Sequence, residues 1–415
     1  MLDTLRDKLN PRGAGLWVLL GVILLAGVAI AGTSGSSSPT DSTTTTTLVV
    51  ESTTTLPIVT TTTTRPTITT QPGPRGFTIA FSGDVLLHPN IRDAAETAAE
   101  GTDRAYDFRP MFQYIESFIK DADWAVCHLL GVVSPDGTGL SDYGKIRVPG
   151  EIVSDLAEVG FDACTTASHH SLDYGFDGVT ETLGVFDEAG LRFTGTARSE
   201  REEILSRRYG IEGVQVTILS YTFSTNGIPT PEDAPWATRL IEEKRILEDA
   251  ALAREEGAEF VILSLHWGDP GRHGLNYMQS HLGPRLIASP DIDLIVGHHS
   301  QVIQPIDKIG SEWIVYGMGN LVAASAEEDE RDEIWVVVEV GEQPDGTFQT
   351  TKLSVMPMHM LSNRRAPVPT GIDLRFEDLE PWEHTLLSAS WKRAMWQLRK
   401  GSGWGEFELI GESPY

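Results

Sequence analysis

A chain of 415 residues, 40% of them apolar, is long enough to bury a large core without staples. Its formal net charge of −27 is unevenly spread: residues 1–76 hold five basic side chains (Arg6, Lys8, Arg12, Arg65, Arg75) and four acidic ones (Asp3, Asp7, Asp41, Glu51), a net of +1, which leaves −28 on residues 77–415. Such a field repels nucleic acid, which is excluded as an expected partner.

After a short N-terminus (1–13), residues 14–32, AGLWVLLGVILLAGVAIAG, carry no charge and approach the length that spans a hydrocarbon core. The basic residues before them predict a cytoplasmic N-terminus. Ala29-Ile30-Ala31 offers the small-residue pattern of a cleaved signal peptide, but the length of the apolar run favours a retained membrane anchor. On either reading the rest of the chain is expected outside the cytoplasm. Residues 33–76 form a Thr/Ser/Pro tract that cannot build a core and reads as an extended, disordered stalk. In a polyproline conformation it would reach on the order of 100 Å.

From residue 77 onward apolar runs alternate with helical patterns. Strands are predicted at 77–81, 123–127, 162–167, 214–222, 259–268 and 293–299, and helices at 108–122, 150–160, 176–190, about 238–256 and near 277–288. Unbroken apolar strands between helices predict a mainly parallel sheet covered on both faces. The later runs at 312–320, 333–341 and 349–357 lie closer together and look antiparallel. Cys127 and Cys164, the two cysteines, fall in strand-like runs; outside the cytoplasm they suit either a disulfide or two buried thiols.

Of the 11 histidines, seven lie at or just beyond a strand's C-terminal end: His88, His128, His169, His170, His266, His298 and His299. Asp84 and Asn320 occupy equivalent places. Ligands of open α/β sheets gather at that edge, so the residues read as a metal or catalytic site. Plainer readings stand beside this one: Asp84 as a loop cap, His266 as a core histidine against Trp267, Asn320 as a turn residue. His88 reads as a bystander, and His273, His281, His359 and His384 as surface.

The runs FSGDV, YDFRPMF, GFDACTTASHHSLDYGFDGVTETLGVFDEAGLRFTGT, VTILSYTFSTNG, VILSLHWGD, DLIVGHHSQVIQPID and WIVYGMGNLV occur in the order and spacing of the CapA-type poly-gamma-glutamate capsule synthesis family, which this chain resembles over roughly residues 77–357. The resemblance implies an α/β fold, a calcineurin-like metallophosphatase sandwich of mixed sheets covered by helices, with residues 358–415 as a C-terminal extension. It also implies a divalent metal ion (Mn, Fe or Zn), with the retained Asp84, His266, His298 and His299 as ligands, to which His128 and His169 are added from the residues of this chain. His170 and Asp173 read as the general acid and its orienting carboxylate, or as a metal ligand and the carboxylate that orients it, and Asn320, Gln301 and Trp267 as supporting residues. The chain departs from the family pattern at the site itself. His128-Leu129-Leu130 stands for Asn-Leu-Glu, Ser168-His169 for Asn-Asn, and Ser300-Gln301 for the Pro-His that ends Gly-His-His-Pro-His. One carboxylate and one imidazole are thereby lost, and His128 and His169 are nitrogen ligands added in partial compensation. Two functions are consistent with this pattern. One is a membrane-held, metal-dependent hydrolase or transferase working with capsule synthesis machinery; the other is a catalytically degenerate relative that binds or organises a cell-envelope polymer.

Overall fold

The computed structural model describes residues 74–413 apart from 372, 374 and 375. The expected anchor and nearly all of the stalk lie outside the described residues. Among those residues, no helix is long and apolar enough to cross a membrane.

From β1 (Gly76–Val85) the chain runs through α1 (Pro89–Ala99) and α2 (Glu116–Asp121) to β2 (Trp124–Leu129), then forms β3 (Val132–Ser134), β4 (Ser141–Tyr143) and β5 (Lys145–Pro149). Next come α3 (Glu151–Val159), β6 (Ala163–Thr165), α4 (Gly175–Ala189), β7 (Arg192–Thr194), α5 (Glu200–Ser206), β8 (Arg208–Ile211) and β9 (Val214–Thr222). The middle of the chain holds α6 (Glu243–Glu255), β10 (Phe260–His266), α7 (Tyr277–Ile287), β11 (Leu294–His298), β12 (Ile306–Ile309) and β13 (Glu312–Val315). It closes with β14 (Asn320–Val322), β15 (Asp332–Glu342), β16 (Phe348–Leu361), β17 (Ala366–Pro369), α8 (Pro381–Leu398) and β18 (Glu408–Leu409).

Two mixed sheets result. The first runs β17-β16-β15-β1-β2-β6-β7, with β14 beside β1 and β18 beside β16; the second runs β12-β13-β11-β10-β9-β8. A third, three-stranded sheet, β3-β5-β4, stands apart from both. Alternation along β1 explains how the large sheets face each other. Phe77, Ile79 and Phe81 meet Val216, Ile218, Phe260, Ile262, Leu294 and Val296 of the second sheet in one buried layer, while Ala80 faces the opposite side, toward α1, α3 and α4. A third layer buries α6 and α7 against the outer face of the second sheet. Each buried large apolar side chain contributes about 1.5–3 kcal/mol, so these layers, rather than any polar contact, set the architecture.

Several elements differ from expectation. The 108–122 helix is broken into a 3-10 turn at Arg109–Phe112 and α2, and Tyr114 between them reaches out to Asp378 (2.5 Å). The 312–320 run is not one antiparallel strand. It splits into β13, parallel to β11 in the second sheet, and β14, parallel to β1 in the first. The crossing passes through Gly319, whose φ of +84° and proximity to the Asp332 carbonyl, 2.5 Å from where a Cβ would sit, leave no room for a side chain. His359, expected at the surface, is buried: β16 turns it under α8, where its Nδ1 lies 2.7 Å from Asp332, itself paired with Arg393. Cys127 and Cys164 sit opposite each other on β2 and β6 and form a disulfide.

Candidate metal centre

The chain's polar residues collect where the strands of both sheets end. In register, Asp84 of β1 lies opposite His128 of β2 and Asn320 of β14, and His266 of β10 lies opposite His298 of β11. Asp84 and His128 lie one residue before the ends of their strands, His266 and His298 end theirs, and Asn320 opens β14, so the side chains of the first four meet where the two sheets come together. His169 and His170 arrive in the loop after β6, and His299 follows β11. His299 and Gln301 both have positive φ, 82° and 59°. That backbone costs a non-glycine residue about 1–2 kcal/mol. Here it turns the His299 N–H onto Asp84 Oδ2 (2.9 Å).

The six expected ligands form two clusters, Asp84/His128/His298 and His169/His266/His299; within each, the ligand atoms lie within 4.8 Å of one another. His298 Nδ1 is 3.0 Å from Asp84 Oδ1. A line of imidazoles joins the clusters: His128 Nε2 lies 2.9 Å from His266 Nδ1, and His266 Nε2 lies 2.7 Å from His169 Nδ1. Thr165 fixes the direction of that line. We assign its hydroxyl as donor to the Cys127 carbonyl (3.5 Å) and acceptor from His128 Nδ1 (2.7 Å), the tautomer that leaves the His128 Nε2 lone pair facing the site.

Burial holds these rings neutral. It pulls His128 and His298 down to about 3 and His299 to about 4; for His128 the neighbouring His298 adds to the effect. His169 falls to about 2 through burial and its neighbours His170 and His299, and His266 drops well below the usual imidazole range. Burial raises Asp84, against the pull of His128 and of the His299 N–H. Neutral imidazole is the form that ligates a metal, so protons do not compete for the site near neutral pH.

The donor set fits a divalent ion. Five imidazoles and one carboxylate are a nitrogen-rich set suited to Zn or Fe. His299 Nδ1 and Asn320 Oδ1 are buried without a hydrogen-bond partner among the described residues, as polar atoms that hold an ion rather than a hydrogen bond would be. Asn320 Nδ2 is spent on the carbonyls of Gln301 (3.3 Å) and Glu330 (3.1 Å).

His170 and Asp173 stand beside the clusters. His170 Nδ1 lies 2.6 Å from Asp173 Oδ2, and its ring centroid is 4.0 Å from that of His169. The same carboxylate oxygen accepts the Ile146 N–H at 2.6 Å. Trp267 is a packing residue beneath the site: Nε1 donates to the Tyr316 carbonyl (3.0 Å) and its N–H to the His298 carbonyl (3.2 Å). Gln301 reaches the site through its carbonyl alone. His88 accepts the Ala324 N–H (3.0 Å) at the head of α1 and joins neither cluster.

Three site residues had not been singled out in the sequence. Thr165 ends its strand opposite His128. Phe223 packs 4.6 Å, ring to ring, from His299, and Asn226 Nδ2 lies 3.2 Å from His170 Nδ1. Phe223 and Asn226 both sit in the motif after β9, and only the meeting of the two sheets brings that motif to the histidines.

Residues 78–325 match the family described as bacterial capsule synthesis protein PGA_cap. The chain belongs to this family. All six clustered ligands, His170, Asp173 and Asn320 fall inside the matched span. In sequence the chain is similar to the PGA biosynthesis protein CapA of Bacillus subtilis (strain 168), with 25% identity over 280 residues, 66% of this chain and 71% of that protein. It is also similar to the capsule biosynthesis protein CapA of Bacillus anthracis, with 23% identity over 305 residues, 71% of this chain and 70% of that protein. Among solved structures it is similar to the calcineurin-like phosphoesterase YfkN from Bacillus subtilis, with a TM-score of 0.41 and 12% identity over 78% of this chain and 98% of that one.

Proposed function

We propose that this PGA_cap chain is an extracytoplasmic, metal-dependent hydrolase or transferase serving the synthesis of an acidic capsule or envelope polymer of the poly-gamma-glutamate type. The observation that carries this reading is the pair of clusters, Asp84/His128/His298 and His169/His266/His299, with His299 Nδ1 and Asn320 Oδ1 buried and without a hydrogen-bond partner among the described residues. The names of the two Bacillus relatives support the polymer class. The apolar run 14–32, the Thr-rich stalk and the Cys127–Cys164 disulfide support export and retention at the cell membrane.

A divalent ion (Mn, Fe or Zn) bound by these ligands would supply Lewis acidity and a hydroxide nucleophile near neutral pH. The residues of the chain do the rest. Asp173 holds the His170 Nδ1 proton, so the acid would be the imidazolium form of His170, whose second proton, on Nε2, goes to the leaving group and leaves the neutral ring behind. Asn320 and Thr165 keep Asp84 and His128 in register. Phe223 covers His299 and screens that side from water.

A second reading, a non-catalytic polymer organiser, is favoured by one observation: His128, His266 and His169 already satisfy one another by hydrogen bonds. Metal content separates the two. The full-length protein, equilibrated with Zn, Mn or Fe and passed over a desalting column, is expected to hold about one to two equivalents and to cleave a phosphodiester or a gamma-linked glutamate chain. Less than about a tenth of an equivalent, with no turnover, sinks the enzyme.

A further inference from the structure

We propose that the β4–β5 hairpin is the substrate-gripping rim of this site, with Lys145 taking a carboxylate of the acidic chain and Tyr143 covering it. The inference rests on the polymer reading above and adds the residues that hold the polymer.

The hairpin is tied to two of the loops that build the site and, on a third side, to α1. The chain that delivers His128 continues through Leu129, Leu130 and Gly131 into β3, and β3 pairs with β5. At Gly131 a Cβ would lie 2.5 Å from Ile146 Cγ2, so the absence of a side chain there lets β5 close down on the loop. On the next side, the Ile146 N–H bonds the Asp173 oxygen that also holds His170. On the third, Asp142 of β4 meets Arg92 of α1 (3.8 Å), four residues beyond His88.

Strand alternation then decides what the hairpin presents. Ile146 points inward and is buried, which turns Lys145 and Arg147 to the other face, 5.3 Å and 5.0 Å from the Tyr174 ring centroid. Arg147 is paired with Glu181 (2.7 Å). Lys145 is exposed and makes no ion pair among the described residues, and Tyr143 at the tip is 93% exposed. The Tyr174 ring is the partner of the Lys145 ammonium among the described residues, so its charge is left without a carboxylate. Lys145 is one residue from the backbone N–H that shares a carboxylate with His170. The folded region carries −28, so an acidic chain is repelled from most of its surface, and an unpaired cation at the rim is where a carboxylate can dock.

The test is binding rather than turnover. Full-length protein, stripped of metal with chelator, is titrated into a fluorescein-labelled gamma-linked glutamate oligomer and into a neutral glutamine oligomer of equal length, with anisotropy as the readout. The wild type is expected to bind the acidic oligomer, more weakly as salt rises, and to bind the neutral one poorly. Lys145→Glu is expected to weaken binding about tenfold and Lys145→Arg to stay within about threefold of wild type, because the first replaces attraction by repulsion at a partly screened site. Tyr143→Ala is expected to lose about threefold through lost contact area, and unchanged melting temperatures show that the variants fold. Equal binding by wild type and Lys145→Glu overturns the hairpin assignment alone. No binding by the wild type overturns this ligand and the polymer reading together. A phosphodiester polymer of equal length that outcompetes the glutamate oligomer overturns the carboxylate.

Discussion

Replacing Thr165 by valine removes one hydroxyl and almost no volume, so it isolates what that hydroxyl does for the metal centre. Thr165 Oγ1 lies 2.7 Å from His128 Nδ1, and both residues are buried. Without it, Nδ1–H loses its acceptor in a dry environment, a cost of about 1–3 kcal/mol to the folded state. The ring is then free to rotate or change tautomer, and loss of such an orienting partner lowers metal affinity about 10- to 100-fold. The assay is competition with a chromophoric chelator for Zn near neutral pH, paired with urea denaturation of the metal-free protein. Thr165→Ser keeps the hydroxyl and is expected to recover most of the affinity. An affinity for Thr165→Val within about twofold of wild type, at unchanged stability, would refute the role given to His128 as an oriented ligand.

Acidification is expected to destabilise the metal-free protein. Unfolded imidazole titrates near 6.5, while burial holds His128 and His298 at about 3 and His299 at about 4, so the unfolded chain takes up protons first as pH falls. Stability should be flat above about pH 6.5 and fall below it by up to about 1.4 kcal/mol per pH unit for each ring. Asp84, raised by burial, works in the opposite sense, its contribution being lost as pH rises. Urea midpoints at stepwise lower pH test this, and a flat profile down to pH 5 contradicts it. Serine at both Cys127 and Cys164 opens a cross-link spanning 37 residues and is expected to cost about 3–4 kcal/mol of stability, read by denaturation with and without reductant; equal midpoints would show that the disulfide constrains nothing. Glu333 is fully buried with neither oxygen hydrogen-bonded among the described residues, and burial raises its carboxyl well above the usual range. Glu333→Gln should therefore stabilise the protein at pH 8 and not at pH 4.5, and a gain that is the same at both would contradict the assignment. His170→Ala is expected to lower turnover about 10²- to 10⁴-fold while metal content stays at the wild-type level; loss of the metal would make His170 a ligand instead of the acid.

Where the sequence spoke clearly, it did so through period and punctuation. Helices α3 and α4 end just before Gly160 and Gly190, and β9 spans 214–222 as its apolar run predicts. The meeting of His266 with His298, and of Asp84 with His128, was legible for the same reason: each pair stands at the ends of neighbouring strands, and strand ends of one sheet share an edge. Short strands such as β3, β4 and β7 were not legible, since three residues carry no period. Nor was the break at 108–122, where tertiary contacts of Tyr114 override an amphipathic pattern. The surface assignment of His359 failed because its partners, Asp332 and Arg393, lie 27 residues before it and 34 after it, on separate elements.

By itself the sequence determined that the folded region is acidic, that its strands alternate with helices, and that its histidines stand at strand ends. All of these are properties of neighbours along the chain. Only the tertiary structure decided that β13 and β14 part into different sheets, and that Asp84 and His128 from one sheet face His266 and His298 from the other. It also decided that the β4–β5 hairpin closes over Asp173. Those pairings rest on burial of one apolar layer between two sheets, a long-range condition that no local pattern states.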